Sequence, residues 1–405
     1  MPSYSGPQAL AHGAILSPFS RLRRLLEGIA PGHENPIELT IGEPREAIPA
    51  FVREKILESS GSLGRYPPIR GTPELREAIS RWSAKRYGDA AALDPEREII
   101  PVNGSREGLF YAAIPAIGRK QVSGKPAILM CNPYYSAYIG AALAVDAEPV
   151  FLNATQASGH LPDLDEIASD KALLERTVAF YLCSPANPQG AVASPAYIAR
   201  ALELARTYDF MLFLDECYSE IYSDAPPTGG LEVAANSSER FRNLVVFNSL
   251  SKRSNLPGLR SGFCAGDAVF IETLAEIRNM VAPQLSGPAQ HASAAVWSDE
   301  AHVAESRAAY RAKYDVCGRV LGERMGYRQP AGGFFLWLDV SNCGGGSEAT
   351  VTLWKRAGVK VIPGAFLAQA GRDGTNPGES YVRLALVHDP ATIGEALERL
   401  VLVLA

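Results

Sequence analysis

The sequence predicts an α/β fold, in which a large domain with a mostly parallel, seven-stranded type of sheet is joined to a smaller α+β domain. Short apolar runs alternate with segments of helical length, which is the pattern of a parallel sheet covered by helices. This alternation stops near residue 290, where a long polar helix begins a different pattern. The chain has 405 residues, so two domains are expected from its length.

The candidate strands of the large domain are short and apolar. They are Glu98–Val102, Ala127–Cys131, Thr177–Cys183, Phe210–Leu214, Leu244–Phe247 and Gly262–Ala265. The helical segments that separate such strands include Pro73–Tyr87, Arg106–Ile117 and Pro195–Tyr208. Proline suits the first turn of a helix, because the N–H that it lacks would have no partner there. Pro73 and Pro195 therefore support the predicted starts of two of these helices.

The elements after residue 290 predict the smaller domain. They are a long helix (Glu300–Met325), three strand-like segments (Phe334–Val340, Lys360–Pro363 and Tyr381–Val387) and a last helix. The N-terminal segment is expected to complete this unit. The predicted division is therefore residues 45–290 for the large domain, and residues 1–44 with 291–405 for the small one.

Composition excludes several classes of function. The net charge of -5 gives no basic excess of the kind that nucleic acid or anionic membranes attract. No run of about 18 apolar residues is present, so a membrane-spanning helix is not expected. The six cysteines are scattered without a CxxC pair, which predicts no metal site and reduced thiols in a cytoplasmic protein.

Polar or conformationally special residues follow five of the predicted strands. These segments are Asn103–Arg106, Asn132–Tyr135, Ser184–Pro188, Asp215–Glu216 and Ser249–Lys252. Open parallel sheets bind ligands beyond the carboxyl ends of their strands. The sequence therefore predicts one crowded site at this edge of the sheet.

Lys252 follows an apolar strand, and Arg260 lies eight residues further on. Two interpretations of this spacing stay open. The segment can be a solvated loop with ordinary surface cations. Alternatively, burial and neighbouring cations can favour a neutral Lys252 amine that attacks an aldehyde, with the planar fork of Arg260 holding a phosphate.

The segment Ser249–Arg260 resembles the lysine signature of class I/II aminotransferases of fold type I, with Ser-x-Ser-Lys followed by Gly-x-Arg. Further motifs of that family occur in the same order. They are Gly42-Glu43-Pro44, the run from Tyr66 to Arg76, Asn187-Pro188-x-Gly190, Asp215-x-x-Tyr218 and a late Arg383. The resemblance covers about residues 39–390. It implies an enzyme that uses pyridoxal 5'-phosphate.

The resemblance also implies the catalytic roles. Lys252 is expected to hold the cofactor as a Schiff base and then to move the proton at the substrate α-carbon. Asp215 is expected beneath the pyridine ring, where it keeps the ring nitrogen protonated. Tyr218 and Asn187 are expected to hydrogen-bond the 3'-oxygen of the ring. Without the family motifs, Asn187 would be a turn residue.

Other residues are implied as contacts of the cofactor. Tyr135 is expected to stack on the ring. The phosphate is expected to bind at a helix N-terminus within a cup formed by Gly104, Ser105, Arg106, Ser249 and Arg260. Tyr66 matches the position that reaches the phosphate from a neighbouring subunit. The resemblance thus implies a homodimer with shared active sites.

Arg383 lies in a strand-like run, where an unpaired arginine is costly. It matches the arginine that binds the substrate α-carboxylate, with help from Asn187 and the backbone of Gly42. The substrates implied are small molecules, namely an amino acid and a 2-oxo acid. Without the other motifs, Arg383 would be read as an outward residue of an edge strand.

The segment of residues 249–263 is more specific than the family minimum. Together with Asn248 and Asn376–Glu379 it is similar to the version in bacterial succinyldiaminopimelate aminotransferases of lysine biosynthesis. These enzymes use glutamate and N-succinyl-2-amino-6-oxopimelate, and both substrates carry a second carboxylate. A second cation is therefore expected in the pocket, and Arg45 and Arg70 are the hypotheses for it.

Three alternatives stay open. The same fold can transaminate another amino acid of alanine, aromatic or aspartate type, or it can release a thiol as a C–S lyase, because fold does not decide reaction. A non-enzymatic effector domain of a transcription regulator is disfavoured. Only about 40 residues precede the first motif, too few for a fused DNA-binding domain of that kind, and the charge balance is acidic.

Overall fold

The computed structural model describes residues 6–11, 16–281 and 284–404. The strands are β1 (Ile37–Glu38), β2 (Ile99–Val102), β3 (Ala127–Asn132), β4 (Glu148–Asn153), β5 (Thr177–Cys183), β6 (Met211–Asp215), β7 (Leu244–Ser249), β8 (Gly262–Gly266), β9 (Phe335–Asp339), β10 (Val359–Lys360), β11 (Ile362–Pro363) and β12 (Tyr381–Ala385).

Helices pack against both faces of the large sheet. They are α1 (Gly6–Ala11), α2 (Pro18–Leu25), α3 (Phe51–Glu58), α4 (Pro73–Tyr87), α5 (Ser105–Tyr111), α6 (Ala113–Arg119), α7 (Ser136–Ala144), α8 (Leu164–Ser169), α9 (Lys171–Arg176), α10 (Pro195–Thr207), α11 (Gly230–Ala235), α12 (Leu250–Arg253), α13 (Ala268–Val281), α14 (Gly287–Ser298), α15 (Ala301–Leu321), α16 (Gly346–Ala357) and α17 (Pro390–Leu404).

The large sheet has seven strands in the order β2-β8-β7-β6-β5-β3-β4. Only β8 runs antiparallel to its neighbours, β2 and β7. This architecture confirms the predicted α/β fold with a mostly parallel sheet. Strand β4 was not predicted, because it is an edge strand with an exposed Glu148 and a proline at position 149. Edge strands tolerate both residues, and both weaken the apolar pattern.

The central strands read as continuous apolar runs because both of their faces are buried. In β6, Leu212 and Leu214 point into the core on one side of the sheet, and Met211 and Phe213 point into the core on the other side. Burying each such side chain contributes roughly 1.5–3 kcal/mol. Asp215, the last residue of β6, is the polar exception at the carboxyl end of this strand.

Local sequence sets where the helices begin and end. Thr72 caps α4 and Ser194 caps α10, each followed by proline at the first helical position. The predicted helix Arg106–Ile117 is wrong in one respect, because it forms two helices, α5 and α6. Pro115 lies in the first turn of α6 and has no N–H to donate to an upstream carbonyl. The predicted helix is therefore interrupted at Ala112.

The smaller unit has a three-stranded antiparallel sheet of order β11-β12-β9. Ile37 of β1 pairs with Val359 of β10, so the N-terminal segment joins the C-terminal part of the chain. Residues 1–5, 12–15 and 405 of the predicted small domain lie outside the described residues. The boundaries at 44 and 290 stay predictions. Among the described residues, no helix is long and apolar enough to cross a membrane.

Candidate active site

A cavity of about 260 Å³ lies between the carboxyl ends of the large sheet and the β9–β12 face of the small sheet. Side chains of both units line it. Those predicted from the sequence are Gly42, Ser105, Arg106, Tyr135, Asn187, Asp215, Tyr218, Lys252 and Arg383. A neighbouring cavity of about 450 Å³ contains none of the predicted site residues. The smaller cavity is therefore the candidate active site.

Lys252 lies in α12, directly after β7, and its Nζ points into the cavity. The amine donates a hydrogen bond to the carbonyl of Gly42 and lies 5.2 Å from the ring centroid of Phe334. Burial, with a smaller contribution from the nearby Arg383 cation, lowers the pKa of Lys252 to about 8. A lysine in this state supplies a neutral amine near neutral pH, as nucleophilic and proton-transfer chemistry requires.

Asp215 forms the floor of the cavity at the end of β6. Its Oδ2 accepts a hydrogen bond of 2.6 Å from the hydroxyl of Tyr138, and its Oδ1 accepts one of 3.2 Å from the N–H of Cys217. Burial raises the pKa of Asp215, and these hydrogen bonds oppose that rise. No ion pair among the described residues involves Asp215. The carboxylate is thus buried, and a ligand that brings a positively charged or N–H group would stabilise it.

Arg383 projects from β12 toward the same cavity. Its Nη1 donates to Asn187 Oδ1 at 3.2 Å, and its Nη2 donates to the carbonyl of Thr40 at 2.7 Å. The guanidinium lies over the ring of Phe335 at 4.4 Å. Its Nε is buried without a hydrogen-bond partner among the described residues. Burial lowers the pKa of Arg383 to about 10, so it stays a cation at neutral pH and suits a carboxylate ligand.

Tyr135 and Arg106 form one wall of the cavity. Arg106 Nε donates to the hydroxyl of Tyr135 at 2.5 Å, and its guanidinium carbon lies 5.4 Å from that ring centroid. Beside them, Cys217 Sγ donates to Ser105 Oγ at 2.9 Å. Tyr218 is buried between this wall and the small unit, in edge contact with Phe334 and Phe335.

Gly104, Ser249 and Arg260 lie beside the cavity and do not line it. Arg260 Nη2 donates to the carbonyl of Asn103 at 2.9 Å, which brings its guanidinium against Gly104. A Cβ at Gly104 would lie 2.4 Å from Arg260 Nη2, and Gly104 has a φ of +82°. Ser249 Oγ donates to the carbonyl of Ser261 at 3.2 Å. Gly104, Ser249 and Arg260, which are predicted to bind the cofactor phosphate, therefore lie close to one another.

Three predicted residues are not brought into this cavity. Tyr66 is fully exposed on the surface. Arg45 lies against the ring nitrogens of His388, and Arg70 forms an ion pair with Glu272. Neither arginine lines the cavity of its own chain, because tertiary partners hold both side chains elsewhere, and the hypothesis that one of them supplies a second cation stays a prediction.

The family model for aminotransferase class I and II matches residues 34–400. The chain belongs to this family. The protein is therefore an aminotransferase, and its cofactor is pyridoxal 5'-phosphate, on which class I and II aminotransferases depend.

Individual relatives are similar over almost the whole chain. An LL-diaminopimelate aminotransferase of Moorella thermoacetica is 30% identical over 94% of both chains. A 4-dedimethylamino-4-oxo-anhydrotetracycline transaminase of Streptomyces rimosus is 32% identical over 90% of this chain and 92% of its own. The crystal structure of an aminotransferase from Neisseria meningitidis superposes with a TM-score of 0.89 at 38% identity, and covers 96% of this chain and 98% of that one.

The cavity of this aminotransferase fits pyridoxal 5'-phosphate on three observations. Asp215 is a buried carboxylate without a cationic partner in the described part of the chain, and a protonated ring nitrogen would supply one. The absence of a side chain at Gly104 leaves backbone beside the Arg260 guanidinium, which suits a phosphate. Lys252 has a lowered pKa, which suits an amine that must bind an aldehyde.

Sequence reasoning missed Tyr138, which contacts the Asp215 carboxylate of this aminotransferase. Tyr138 stacks on Tyr181 with ring centroids 4.7 Å apart and lies three residues after Tyr135. Residues three apart lie on the same face of a helix. That spacing, in a segment that follows a strand end, was the signal that could have placed Tyr138 beside the site.

Proposed function

We propose that this aminotransferase moves an amino group between glutamate and a diaminopimelate skeleton in lysine biosynthesis, with N-succinyl-diaminopimelate as the second amino acid. One observation carries the reaction type: Lys252, Asp215 and Arg383 face one cavity. The similarity of residues 249–263 to succinyldiaminopimelate aminotransferases supports the substrate. LL-diaminopimelate itself is the second candidate, because several relatives bear that name.

In this proposal, the described residues hold the cofactor from several sides. Lys252 would bind its aldehyde group, Asp215 would pair with its ring nitrogen, and Tyr135 would contact its ring. Tyr218 and Asn187 are close enough to the same cavity to donate to the ring oxygen. The phosphate is held by a second group of residues, namely Gly104, Ser105, Arg106, Ser249 and Arg260. When bound, the cofactor supplies an electron-withdrawing ring that stabilises negative charge at the substrate α-carbon.

Lys252 also acts as the base. With cofactor and substrate bound, its free amine would accept the proton of the substrate α-carbon and would later give a proton back. A general base works best when its pKa lies near the operating pH, and the value of about 8 for Lys252 meets that condition. The carbonyl of Gly42 accepts a hydrogen bond from Nζ and so orients the amine within the cavity.

Arg383 holds the substrate α-carboxylate. Asn187 and Thr40 already orient the two Nη atoms of Arg383, and its Nε has no partner among the described residues. The guanidinium is therefore preorganised, and an arginine fork binds a carboxylate in a bidentate manner. The backbone of Gly42 lies in the same cavity wall. Fixing the carboxylate fixes the α-carbon relative to Lys252, which converts proton transfer into a step within one complex.

We also propose a homodimer with shared sites. Tyr66 is fully exposed and does not line the cavity of its own chain, so its expected phosphate contact requires a second copy. The proposed location is the cytoplasm, because all six cysteines are free and reduced thiols are typical of that compartment.

Mixed dimers test the shared site. We expect Tyr66→Ala and Lys252→Ala dimers each to be impaired. A hybrid of the two would contain one site with an intact Lys252 and an intact Tyr66 from the partner. Normal activity per intact Lys252 in the hybrid supports sharing. Activity equal to that of the Tyr66→Ala dimer would show that each site uses its own tyrosine.

The substrate is tested by single half-reactions. The yellow holoenzyme is mixed with one amino acid at a time, and the 2-oxo acid product is measured together with the loss of the visible absorbance. Glutamate and N-succinyl-LL-diaminopimelate should both react, whereas alanine and aspartate should react poorly. Reaction with free LL-diaminopimelate in place of the succinylated compound would favour the second candidate.

Two variants control this experiment. Lys252→Ala should abolish conversion of every amino acid, because no other described lysine lines the cavity. Lys125→Ala is the matched control, since Lys125 pairs with Asp146 on the surface, and it should react like the unaltered enzyme. Turnover by Lys252→Ala at the normal rate would contradict the assignment of the reaction to this cavity.

A further inference from the structure

A second cavity, of about 450 Å³, lies beside the active site and has a size that small ligands occupy. Among the described residues, none lines both cavities. A space of about 10 Å³ lies between them and is lined by residues of each, including Asn187 and His160. That space holds about one water molecule. The second cavity is therefore separate from the site of amino transfer.

The second cavity contains one cation and one anion that form no ion pair with any described residue. Arg328 is exposed, and its side chain makes no hydrogen bond to the described part of the chain. Asp339 lines the same cavity and accepts one hydrogen bond, from the N–H of Ser341 at 2.9 Å. Both groups keep unused hydrogen-bonding positions. Their opposite charges match a ligand that carries both an anionic and a cationic group.

The two charges border an aromatic surface. Trp337 and Tyr381 stack with ring centroids 4.9 Å apart and 7° between the ring planes. Asp339 lies directly opposite Tyr381 across strands β9 and β12. His160 contacts Tyr381 edge-on, with ring centroids 6.4 Å apart. Burial lowers the pKa of the His160 imidazole, and the nearby Arg328 cation contributes to that decrease. The cation and the anion therefore lie on either end of one chain of neighbouring rings.

We propose that the second cavity binds a free aromatic amino acid, at a site distinct from that of amino transfer. Arg328 binds the carboxylate through charge-assisted hydrogen bonds. Asp339 binds the ammonium group, which the faces of nearby aromatic rings also attract. Trp337 and Tyr381 pack against the ring of the ligand, as aromatic side chains do with one another.

Other polar groups of the second cavity also lack protein partners. The Nδ1 atom of His160 is buried and has no hydrogen-bond partner among the described residues, although buried polar atoms usually have one. The side-chain amides of Gln156 and Gln189 line the cavity and make no hydrogen bond to the described residues. A ligand with several polar atoms would supply partners to these groups.

A competing interpretation is that the second cavity holds the far end of a long substrate whose amino group reacts at Lys252. The narrow space between the cavities opposes this interpretation. The two interpretations also predict different effects of Arg383. An amino acid confined to the second cavity would bind independently of Arg383, whereas a substrate that extends from the active site would need it.

The test is titration calorimetry of the holoenzyme with α-methyl-L-phenylalanine, which has no α-hydrogen and so cannot be transaminated. Arg328→Gln and Asp339→Asn should each raise the Kd of this probe by about tenfold or more, because a charge-assisted hydrogen bond is lost. Arg328 is exposed, so its replacement leaves the packing of the protein intact. Arg383→Gln should change the Kd by less than about twofold.

Arg372→Gln is the matched control, since Arg372 is an exposed arginine that pairs with Asp170 outside the second cavity. It should leave the Kd unchanged. The proposal is overturned if the probe does not bind to the unaltered holoenzyme, or if Arg328→Gln binds it with the same Kd. It is also overturned if Arg383→Gln abolishes binding, because the probe would then occupy the active site.

Discussion

The reactivity of Lys252 offers a direct test of the electrostatics of the cavity. The pKa of Lys252 is about 8, so roughly one-tenth of its amine is neutral at pH 7. In a free lysine, the neutral fraction at this pH is about 0.03%. The neutral fraction is therefore about 300-fold greater. Because the folded pKa is below the unfolded value, the neutral amine accumulates as pH rises through 8. Lys55 is an internal reference, since its hydrogen bond to Glu58 raises its pKa.

The assay is pulse labelling of the cofactor-free protein with dinitrofluorobenzene at a series of pH values, followed by quantification of the peptide that carries each lysine. The midpoint for Lys252 should lie near 8, while labelling of Lys55 should still be increasing above pH 10. Arg383→Gln should move the midpoint of Lys252 upward, because a neighbouring cation is removed. A midpoint above 10 for Lys252, or a downward shift in that variant, would refute the reasoning.

Three further changes test the frame around the site. Tyr138→Phe removes a hydrogen bond to the buried Asp215 carboxylate, which is worth roughly 1.5–3 kcal/mol. The raised pKa of that carboxyl should rise further, so cofactor affinity, followed by absorbance, should begin to fall at a higher pH during acidification. Gly104→Ala and Gly88→Ala impose the same positive-φ strain, but only the new Cβ at position 104 meets a guanidinium nitrogen, at 2.4 Å. Cofactor affinity should therefore drop in Gly104→Ala and stay unchanged in Gly88→Ala. Trp297→Ala should lower the free energy of unfolding in urea by about 3–5 kcal/mol.

Local patterns made the scaffold predictable. The helix Pro73–Tyr87 and the strand Thr177–Cys183 are found at the predicted bounds, because a proline start or a continuous apolar run is written in adjacent residues. The site edge was predictable for the same reason. Asp215 and Lys252 each follow a buried strand, and parallel strands bring their carboxyl ends to one edge.

Contacts between distant segments were not predictable. The carbonyl of Thr40 binds Arg383 across 343 positions of sequence, and no local pattern indicates that pairing. The positions of the Arg45 and Arg70 side chains were not predictable for the same reason, since their distant partners His388 and Glu272 decide where they point. An arginine in a motif next to a site is therefore a candidate only until its tertiary partners are known.

Burial works against the charged form of all three central groups of the cavity, but the hydrogen-bond partners of these groups differ. Burial lowers the pKa of Lys252 and Arg383 and raises that of Asp215. Arg383 stays charged because its ordinary pKa is so high that a value of about 10 is still above neutrality. Asp215 is supported as an anion by Tyr138 and by the N–H of Cys217. Lys252 has a single carbonyl acceptor, so desolvation prevails there. The same apolar surroundings thus act differently on the three groups, because the hydrogen-bond partners of each group decide how strongly its charged form is supported.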